Sequence, residues 1–400
     1  MRADKPKKKV ALVLSGGGAR GAYEVGVLSY VLDDFARKRG RPPRVQILCG
    51  TSVGAINACF LAAHLGDATN GVRRLIDLWT SFRLSECLRF GPKQVLGLPR
   101  LVLGGRSATG LFDVAPMVRI IAGEVAWRAI HDSLQHGHLE VLSISATEVV
   151  SGRTVIFTQT GPEGSLPTTA PPRTVLRRTV IGPLHALASA SIPLLFPPVR
   201  IGRELFMDGG VRQNTPIAPA LRHGATHVFA IGLSREVRGV ESGGEDAPYP
   251  GAAMVLGKVL NALLLDHVQT DVDILQRVNR LIEDVERCCG PELFSKVNAL
   301  VERRGDPPYR PITTLLVRPS DDIGRMAAAY LRSAVSRENG GVARRLLSLL
   351  DVGEATESDL ASYLLLDGPF ARRLINLGRA DAEARRHEIE EFFASAEADA

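Results

Sequence analysis

The sequence predicts an α/β fold in which helices cover both faces of a central sheet. Short, fully apolar segments recur along the chain, glycine-rich turns follow several of them, and helically spaced apolar residues come next. Strands that are buried on both faces are continuous apolar runs, and their alternation with helices is typical of a largely parallel sheet. A chain of 400 residues, 45% hydrophobic and 23% charged, is long enough for one large domain with an addition.

The elements follow from this pattern in chain order. The apolar runs predict strands at Val10–Leu14, Val45–Cys49, Leu139–Ala146, Leu205–Met207, His227–Leu233 and Ile312–Arg318. The alternating segment Thr154–Thr158 is predicted to pair with the third of these as a hairpin. Helices are predicted after the first glycine run (with Tyr23, Val27, Tyr30 and Val31 on one face), over Ala55–Leu65, over His185–Ser191, and over most of 251–304 and 342–400.

Composition excludes several classes of function. The net charge of +6 comes partly from the lysines at positions 5 and 7–9, which predict a solvated tail or, alternatively, a small patch for anionic lipid headgroups. The other arginines are dispersed and aromatic residues make up 5%, so nucleic-acid binding is not expected. Five cysteines without metal or disulfide spacing favour a reducing compartment. No signal peptide or transmembrane helix is expected, which favours a cytoplasmic protein.

One serine stands between two glycines where a strand turns into a helix. The stretch VQILCGTSVGAINA, residues 45–58, presents Ser52 between Gly50 and Gly54. This is the pattern of a nucleophile elbow, in which small residues clear a tight turn and the hydroxyl lies beside a helix N-terminus. Taken alone, the stretch is equally consistent with a purely structural turn.

A second glycine-rich turn follows the first strand. Gly16, Gly18 and Gly21 have the spacing of a dinucleotide-binding loop, but such a loop wants an acidic residue about 20 positions on, at the end of the next strand. That strand ends in Cys49-Gly50-Thr51-Ser52 instead. Consecutive glycines also let backbone N–H groups converge on a developing negative charge, so an oxyanion hole is favoured. Arg20 is predicted to hold this loop or to bind an anionic headgroup.

An elbow serine needs a general base. None of the nine histidines follows a late strand in a convincing loop. Asp208 follows the short strand at Glu204–Met207 and precedes Gly209-Gly210. An Asp-Gly pair is usually only a turn, yet beside an elbow and a glycine loop it favours a Ser–Asp dyad without an intervening imidazole.

These three motifs, in this order, closely resemble those of the patatin-like phospholipases. The stretches Ala188–Pro193, Phe196–Pro198 and Asn214–Pro216 fit as well, so the resemblance covers about residues 8–220. It implies a three-layer α/β/α fold in which Ser52 is the nucleophile, Asp208 is the base and the amides of Gly16, Gly17 and Gly18 form the oxyanion hole. It further implies hydrolysis of lipid acyl esters, of phospholipase A or lysophospholipase type, with no metal and no cofactor.

The composition along the chain, together with the resemblance, predicts its organisation. A basic disordered tail (1–9) precedes a catalytic domain (10–235), a linker with a helical insertion (236–311), and a returning strand with C-terminal helices that pack on the catalytic domain (312–400). Apolar residues at 96–98 and 101–103 are predicted to form a lip over the site or a covered loop. Val255, Val259, Leu260 and Leu263 are expected in a lid, a homodimer face or the core.

Lipid is therefore the expected partner, and peripheral membrane contact and a homodimer stay open. Two other functions stay open as well. One is a non-catalytic lipid-binding or scaffold protein on the same fold, and the other is a nucleotide-binding oxidoreductase.

Overall fold

The strands form one mixed sheet. The computed structural model describes residues 8–84, 121–167, 169–236, 252–265, 267–335 and 358–398. The strands in these ranges are β1 Val10–Leu14, β2 Ile47–Thr51, β3 Val141–Glu148, β4 Thr154–Thr160, β5 Thr174–Arg178, β6 Val199–Ile201, β7 Glu204–Asp208, β8 His227–Ile231 and β9 Thr313–Val317. Their order is β5-β4-β3-β2-β1-β8-β9, and β7 pairs with β3 and β6.

Helices cover this sheet. In chain order they are α1 Gly21–Ser29, α2 Phe35–Arg39, α3 Val53–Ala62, α4 Ala68–Ser81, α5 Trp127–Gln135, α6 Pro183–Ser189, α7 Ile217–Arg222, α8 Ala252–Leu264, α9 His267–Cys289, α10 Pro291–Arg303, α11 Ile323–Val335, α12 Asp359–Leu364, α13 Gly368–Ala384 and α14 Arg386–Glu397. A single π turn joins α1 to α2. None of the helices in the described ranges has the length and apolar character that crossing a bilayer requires.

The fold is the predicted three-layer arrangement, because the strands bury opposite faces in two separate cores. In β1, Leu12 and Leu14 belong to the larger core, to which α1, α3 and α13 also contribute apolar side chains. Ala11 and Val13 of the same strand belong to the smaller core, which α7 and α9 complete. Alternate residues of a strand point to opposite faces, so a continuous apolar run is what a doubly covered strand requires.

All the predicted strands are present, and each of their ends lies within two residues of the predicted position. The hairpin partner is also confirmed, since β4 pairs antiparallel with β3. The predicted helical insertion is present and is interrupted at Gly290, between α9 and α10. The sequence did not predict β5, β6, α4, α5 or α7. The proposed lip at 96–98 and 101–103, the linker at 237–250 and residues 342–357 lie outside the described residues.

The loops that follow β2 and β7 lie side by side because β3 pairs with both of these strands along one edge. β4 occupies the opposite edge of β3. On the shared edge, β2 pairs up to Thr51 opposite Ser145, and β7 then takes over with Asp208 opposite Ala146. Consecutive positions of β3 therefore bring the end of β2 next to the end of β7.

The four apolar residues of α8 that the sequence grouped together lie in two different environments. Leu260 is buried in the larger core, so this residue is core, as one of the three alternatives proposed. Val255, Val259 and Leu263 are exposed on the outer face of α8. The inner face of α8 packs against α12 and against the turn that follows Asp208.

Helix α13, from the C-terminal region, packs closely along α1. A Cβ atom at Gly26 would lie 2.1 Å from the carbonyl oxygen of Ile375, and one at Gly378 would lie 2.2 Å from the carbonyl oxygen of Tyr23. Both distances are too short for a real contact. The two glycines thus let the helix backbones approach each other, and α1 carries the glycine loop at its N-terminus.

We expect Gly26→Ala to lower the free energy of unfolding by about 1–3 kcal/mol, since the added methyl forces α1 and α13 apart. The matched control is Gly123→Ala, where a Cβ atom would meet nothing within 4 Å. Equilibrium denaturation of both variants measures the difference. Equal stability of the two variants would contradict the close-packing argument.

Candidate active site

Ser52 occupies a strained turn between β2 and α3. Its φ of 54° and ψ of −127° are rare for a residue with a side chain. A Cβ atom at Gly50 would lie 2.4 Å from the carbonyl oxygen of Gly54, and one at Gly54 would lie 2.5 Å from that of Leu14. The two glycines are thus required by close backbone contacts, and the turn leaves the serine at the N-terminus of α3.

Two hydrogen bonds fix Ser52. Its Oγ donates to Asp208 Oδ2 at 2.5 Å. Its backbone N–H donates to Ser189 Oγ at 2.9 Å, and that hydroxyl donates in turn to the carbonyl oxygen of Ser145 at 2.6 Å. Ser189 therefore ties the elbow to β3, the strand that also positions Asp208.

Asp208 is fully buried, and hydrogen bonds fix both its carboxylate and its backbone. Its Oδ1 accepts the Gly210 N–H at 2.7 Å, and its own N–H donates to the carbonyl oxygen of Ser191 at 2.9 Å. Gly209 lies against β3, with its Cα close to the carbonyl oxygen of Ser145. Burial raises the pKa of Asp208 to about 7, although the hydrogen bonds from Ser52 and Gly210 act in the opposite direction. A substantial fraction of this carboxyl is thus ionised at neutral pH.

The glycine loop lies directly against the serine. A Cβ atom at Gly16 would lie 2.9 Å from Ser52 Cβ. The Gly16 N–H donates to the carbonyl oxygen of Asn214 at 3.3 Å, and Asn214 Nδ2 donates back to the Gly16 carbonyl at 3.2 Å. The amides of Gly17 and Gly18 have no acceptor within the described part of the chain. Of the three amides predicted for an oxyanion hole, that of Gly16 is therefore engaged with Asn214, and those of Gly17 and Gly18 are not engaged by the described residues.

The same loop also touches the C-terminal region. Gly18 has a φ of 57°, and a Cβ atom there would lie 2.4 Å from the carbonyl oxygen of Tyr363 in α12. Gly21 lies against the side chain of Val53, the first residue of α3. The loop is therefore packed between α12 and the helix that follows Ser52.

Arg20 is buried and holds the loop in place. Its guanidinium donates to Ser362 Oγ at 2.7 Å, to Asp359 Oδ1 at 3.2 Å and to Asn261 Oδ1 at 3.3 Å. It also lies 4.8 Å from the ring centre of Tyr363. Of the two predicted roles, the structure favours loop support, because these contacts direct the charge into α8 and α12.

An apolar cavity opens beside Ser52. Its walls come from α3, α4, the segment before α5, the segment after α6 and α12, and they include Ile56, Trp79, Val125, Phe196 and Leu364. Gly18 and Ser52 lie at the same cavity. No charged side chain lines it among the described residues. Such a surface suits a hydrocarbon chain.

Sequence reasoning assigned no role to two residues that this geometry depends on. Ser189 and Asn214 lie in stretches that carried the family resemblance, but each acts through a hydrogen bond to a residue more than 130 positions away. Spacing along the chain contains no sign of such bonds.

The model of the patatin-like phospholipase family matches residues 12–221, more than half of the chain, and the chain belongs to this family. It is similar to the probable lipid hydrolase 463L of Invertebrate iridescent virus 6 (25% identity over 226 residues, 55% of this chain). It is also similar to a cGAMP-activated phospholipase of Pseudomonas aeruginosa (31% identity over 208 residues, 51% of this chain). These matches span 66% and 53% of the two relatives' lengths.

Among solved structures, one similar chain is the human GIVD cytosolic phospholipase A2. The two are 12% identical, the match covers 97% of this chain and 60% of the human chain, and the TM-score is 0.46.

We expect Ser189→Ala to lower the free energy of unfolding by about 1–3 kcal/mol, because it leaves the N–H of the strained Ser52 without a buried acceptor. Ser191→Ala is the matched control. The Ser191 hydroxyl donates only to the carbonyl of Leu187, which the N–H of Ala190 also reaches. Chemical denaturation compares the two, and a loss of stability in Ser189→Ala no greater than that in Ser191→Ala would refute the role given to Ser189.

Proposed function

We propose that this chain is a serine acyl hydrolase that cleaves fatty-acyl esters of lipids, with Ser52 as nucleophile and Asp208 as its general base. The observation that carries the proposal is the 2.5 Å hydrogen bond from Ser52 Oγ to a buried carboxylate oxygen beside an apolar cavity. Membership of the patatin-like phospholipase family supports lipid hydrolysis in general. The phospholipase A or lysophospholipase type is the finer part of the proposal.

In the first half of the reaction, Ser52 Oγ attacks the ester carbonyl carbon while its proton passes to Asp208 Oδ2. The oxyanion of the tetrahedral intermediate accepts hydrogen bonds from the Gly17 and Gly18 amides, and the positive end of α3 stabilises it further. The intermediate collapses, the carbon–oxygen bond to the alcohol breaks, and the alcohol leaves with the proton that Asp208 held. An acyl-enzyme on Ser52 remains.

In the second half, water replaces the alcohol. Asp208 accepts a proton from the water as its oxygen attacks the acyl carbonyl, and the same two amides again hold the oxyanion. The bond to Ser52 Oγ breaks, Ser52 recovers its proton from Asp208, and the fatty acid leaves. The net change is ester plus water to acid plus alcohol.

A carboxylate suffices as the base because burial brings its pKa close to neutrality. An exposed aspartate would be far too weak a base for an alcohol, whereas the pKa of Asp208 is raised to about 7, a value usual for histidine. The hydrogen bond from Ser52 is direct, so no imidazole is needed between them.

We expect Ser52→Ala and Asp208→Asn each to lower kcat/KM on p-nitrophenyl acyl esters by about 1,000-fold or more, since each removes one member of the dyad. Asp381→Asn is the matched control, because Asp381 is a buried carboxyl that accepts the Tyr23 hydroxyl and does not line the cavity. Circular dichroism verifies that the variants are folded. Turnover near that of the wild type in either dyad variant would exclude the proposed dyad.

We expect kcat/KM to rise with pH and to level off above an apparent pKa of about 7. Asp208 acts as a base only when ionised, so activity falls as the pH drops below the raised pKa. Rates on one ester between pH 5 and 9 measure the profile. A profile that is flat from pH 5.5 to 8.5 would contradict this assignment.

A fluorophosphonate probe separates this function from a non-catalytic lipid-binding protein on the same fold. We expect the probe to modify Ser52, and mass spectrometry of the labelled peptide locates the adduct. Lipid binding without any labelling of the wild type would favour the non-catalytic alternative.

A further inference from the structure

We propose that Glu24 is a positioning residue that fixes the glycine loop and the Trp79 wall of the apolar cavity together, and so sets the acyl-chain preference of the enzyme. The inference rests on the proposed function. Glu24 lies on the first turn of α1, is fully buried and takes no part in the two reaction steps above.

The first contact of Glu24 is with the glycine loop. Its Oε1 accepts the N–H of Ser15 at 2.7 Å. Ser15 immediately precedes the glycine run, and its own hydroxyl donates to the carbonyl oxygen of Ile231 at 2.7 Å. Glu24 therefore sets the peptide at which β1 ends and the loop that carries the Gly17 and Gly18 amides begins.

The second contact of Glu24 leads to the cavity wall. Its Oε2 accepts a hydrogen bond from Asn57 Nδ2 at 2.9 Å, and the same nitrogen donates to the carbonyl oxygen of Gly21 at 3.2 Å. Asn57 Oδ1 accepts the indole N–H of Trp79 at 3.0 Å. Both ends of the Asn57 amide are thus engaged, and their donors and acceptors allow only one orientation of this side chain.

Asn57 and Trp79 both line the cavity beside Ser52. The hydrogen bonds run in one direction, from the Trp79 indole to Asn57 and from Asn57 to Glu24, while Ser15 donates to Glu24 from the other side. Glu24 is the shared final acceptor. A change at this one side chain must therefore reach the loop and the cavity wall together.

Both oxygens of Glu24 accept hydrogen bonds in this arrangement, as those of an ionised carboxylate do, and the two donors oppose the protonation that burial favours. A glutamine of the same shape has one oxygen and one NH2 group. In either orientation, that NH2 group faces a donor, either the Ser15 N–H or Asn57 Nδ2. The hydrogen bond at that donor is then lost, and the contact between two N–H donors displaces the side chain, which weakens its other hydrogen bond as well.

The carboxyl group at this position is also unfavourable for the fold. Burial raises the pKa of Glu24 to about 8 against the effect of its two hydrogen bonds, and no cationic side chain pairs with it among the described residues. An unpaired buried carboxyl lowers stability, and departures of this kind concentrate at functional sites.

The test compares Glu24→Gln, Trp79→Phe and the double variant with the wild type. The substrates are p-nitrophenyl acetate, whose acyl chain is a single methyl, and p-nitrophenyl decanoate. We expect Glu24→Gln to lower kcat for both esters through the loop. We also expect the decanoate-to-acetate ratio of kcat/KM to fall about tenfold, because a change of this size corresponds to the loss of one buried hydrogen bond. Trp79→Phe, which removes the indole donor and makes the ring at the cavity wall smaller, lowers this ratio in the same direction.

The double variant tests the route. If Glu24 acts on the wall through Asn57 and Trp79, Glu24→Gln changes the ratio less than about twofold in the Trp79→Phe background, while kcat still falls. Tyr23→Phe, which removes the buried hydrogen bond from α1 to Asp381 of α13, is the control and leaves the ratio unchanged. Thermal unfolding of each variant verifies that it is folded.

Three results would overturn the inference. One is an equal loss on both esters in Glu24→Gln, and another is the same change of ratio in both backgrounds. The third applies if Glu24→Gln does not fold: an unchanged decanoate-to-acetate ratio in Trp79→Phe would then overturn the inference. A wild type that neither hydrolyses these esters nor reacts with the fluorophosphonate would instead refute the proposed function.

Discussion

The hydrogen bond between Ser52 and Asp208 depends on one strand having two successive partners along the same edge. β3 pairs first with β2 and then with β7, so that the positions opposite Ser145 and Ala146 are the last residue of β2 and Asp208 itself. A shift of one residue would turn alternate side chains to the other face of the sheet and separate the two groups. The register of β3 therefore determines whether a dyad forms at all.

Close backbone contacts surround the bond between Ser52 and Asp208, and residues from distant parts of the described chain form them. The elbow and the glycine loop bring backbone so close to Ser52 that side chains are excluded at Gly16 and Gly54. The loop is then held from outside, by Asn214 on one side and by Arg20 on the other. Because Arg20 and the cavity reach into α8 and α12, helices beyond the matched family region complete the site.

Many of the strands and the two residues of the dyad were predictable from local sequence patterns. The other elements and contacts were not predictable, and the reason is physical. Apolar runs locate β1, β2, β3 and β8, since a doubly covered strand has to be apolar throughout. Glycine spacing and the absence of a suitable histidine point to Ser52 and Asp208. By contrast, β5 is a half-buried segment that ends in two arginines, so its composition does not distinguish it from a loop. Ser189, Asn214 and Glu24 act through contacts that only the folded chain creates.

Two buried carboxyl groups near the cavity show how the surroundings assign different roles to one chemical group. Burial raises the pKa of both, Asp208 to about 7 and Glu24 to about 8. Asp208 faces a hydroxyl that can give up its proton, and Ser52 presents that hydroxyl to the cavity. Glu24 faces only an amide N–H and a side-chain NH2 group, which keep their protons. The first arrangement moves a proton, and the second holds two structures at a fixed distance, so the identity of the donors decides between catalysis and positioning.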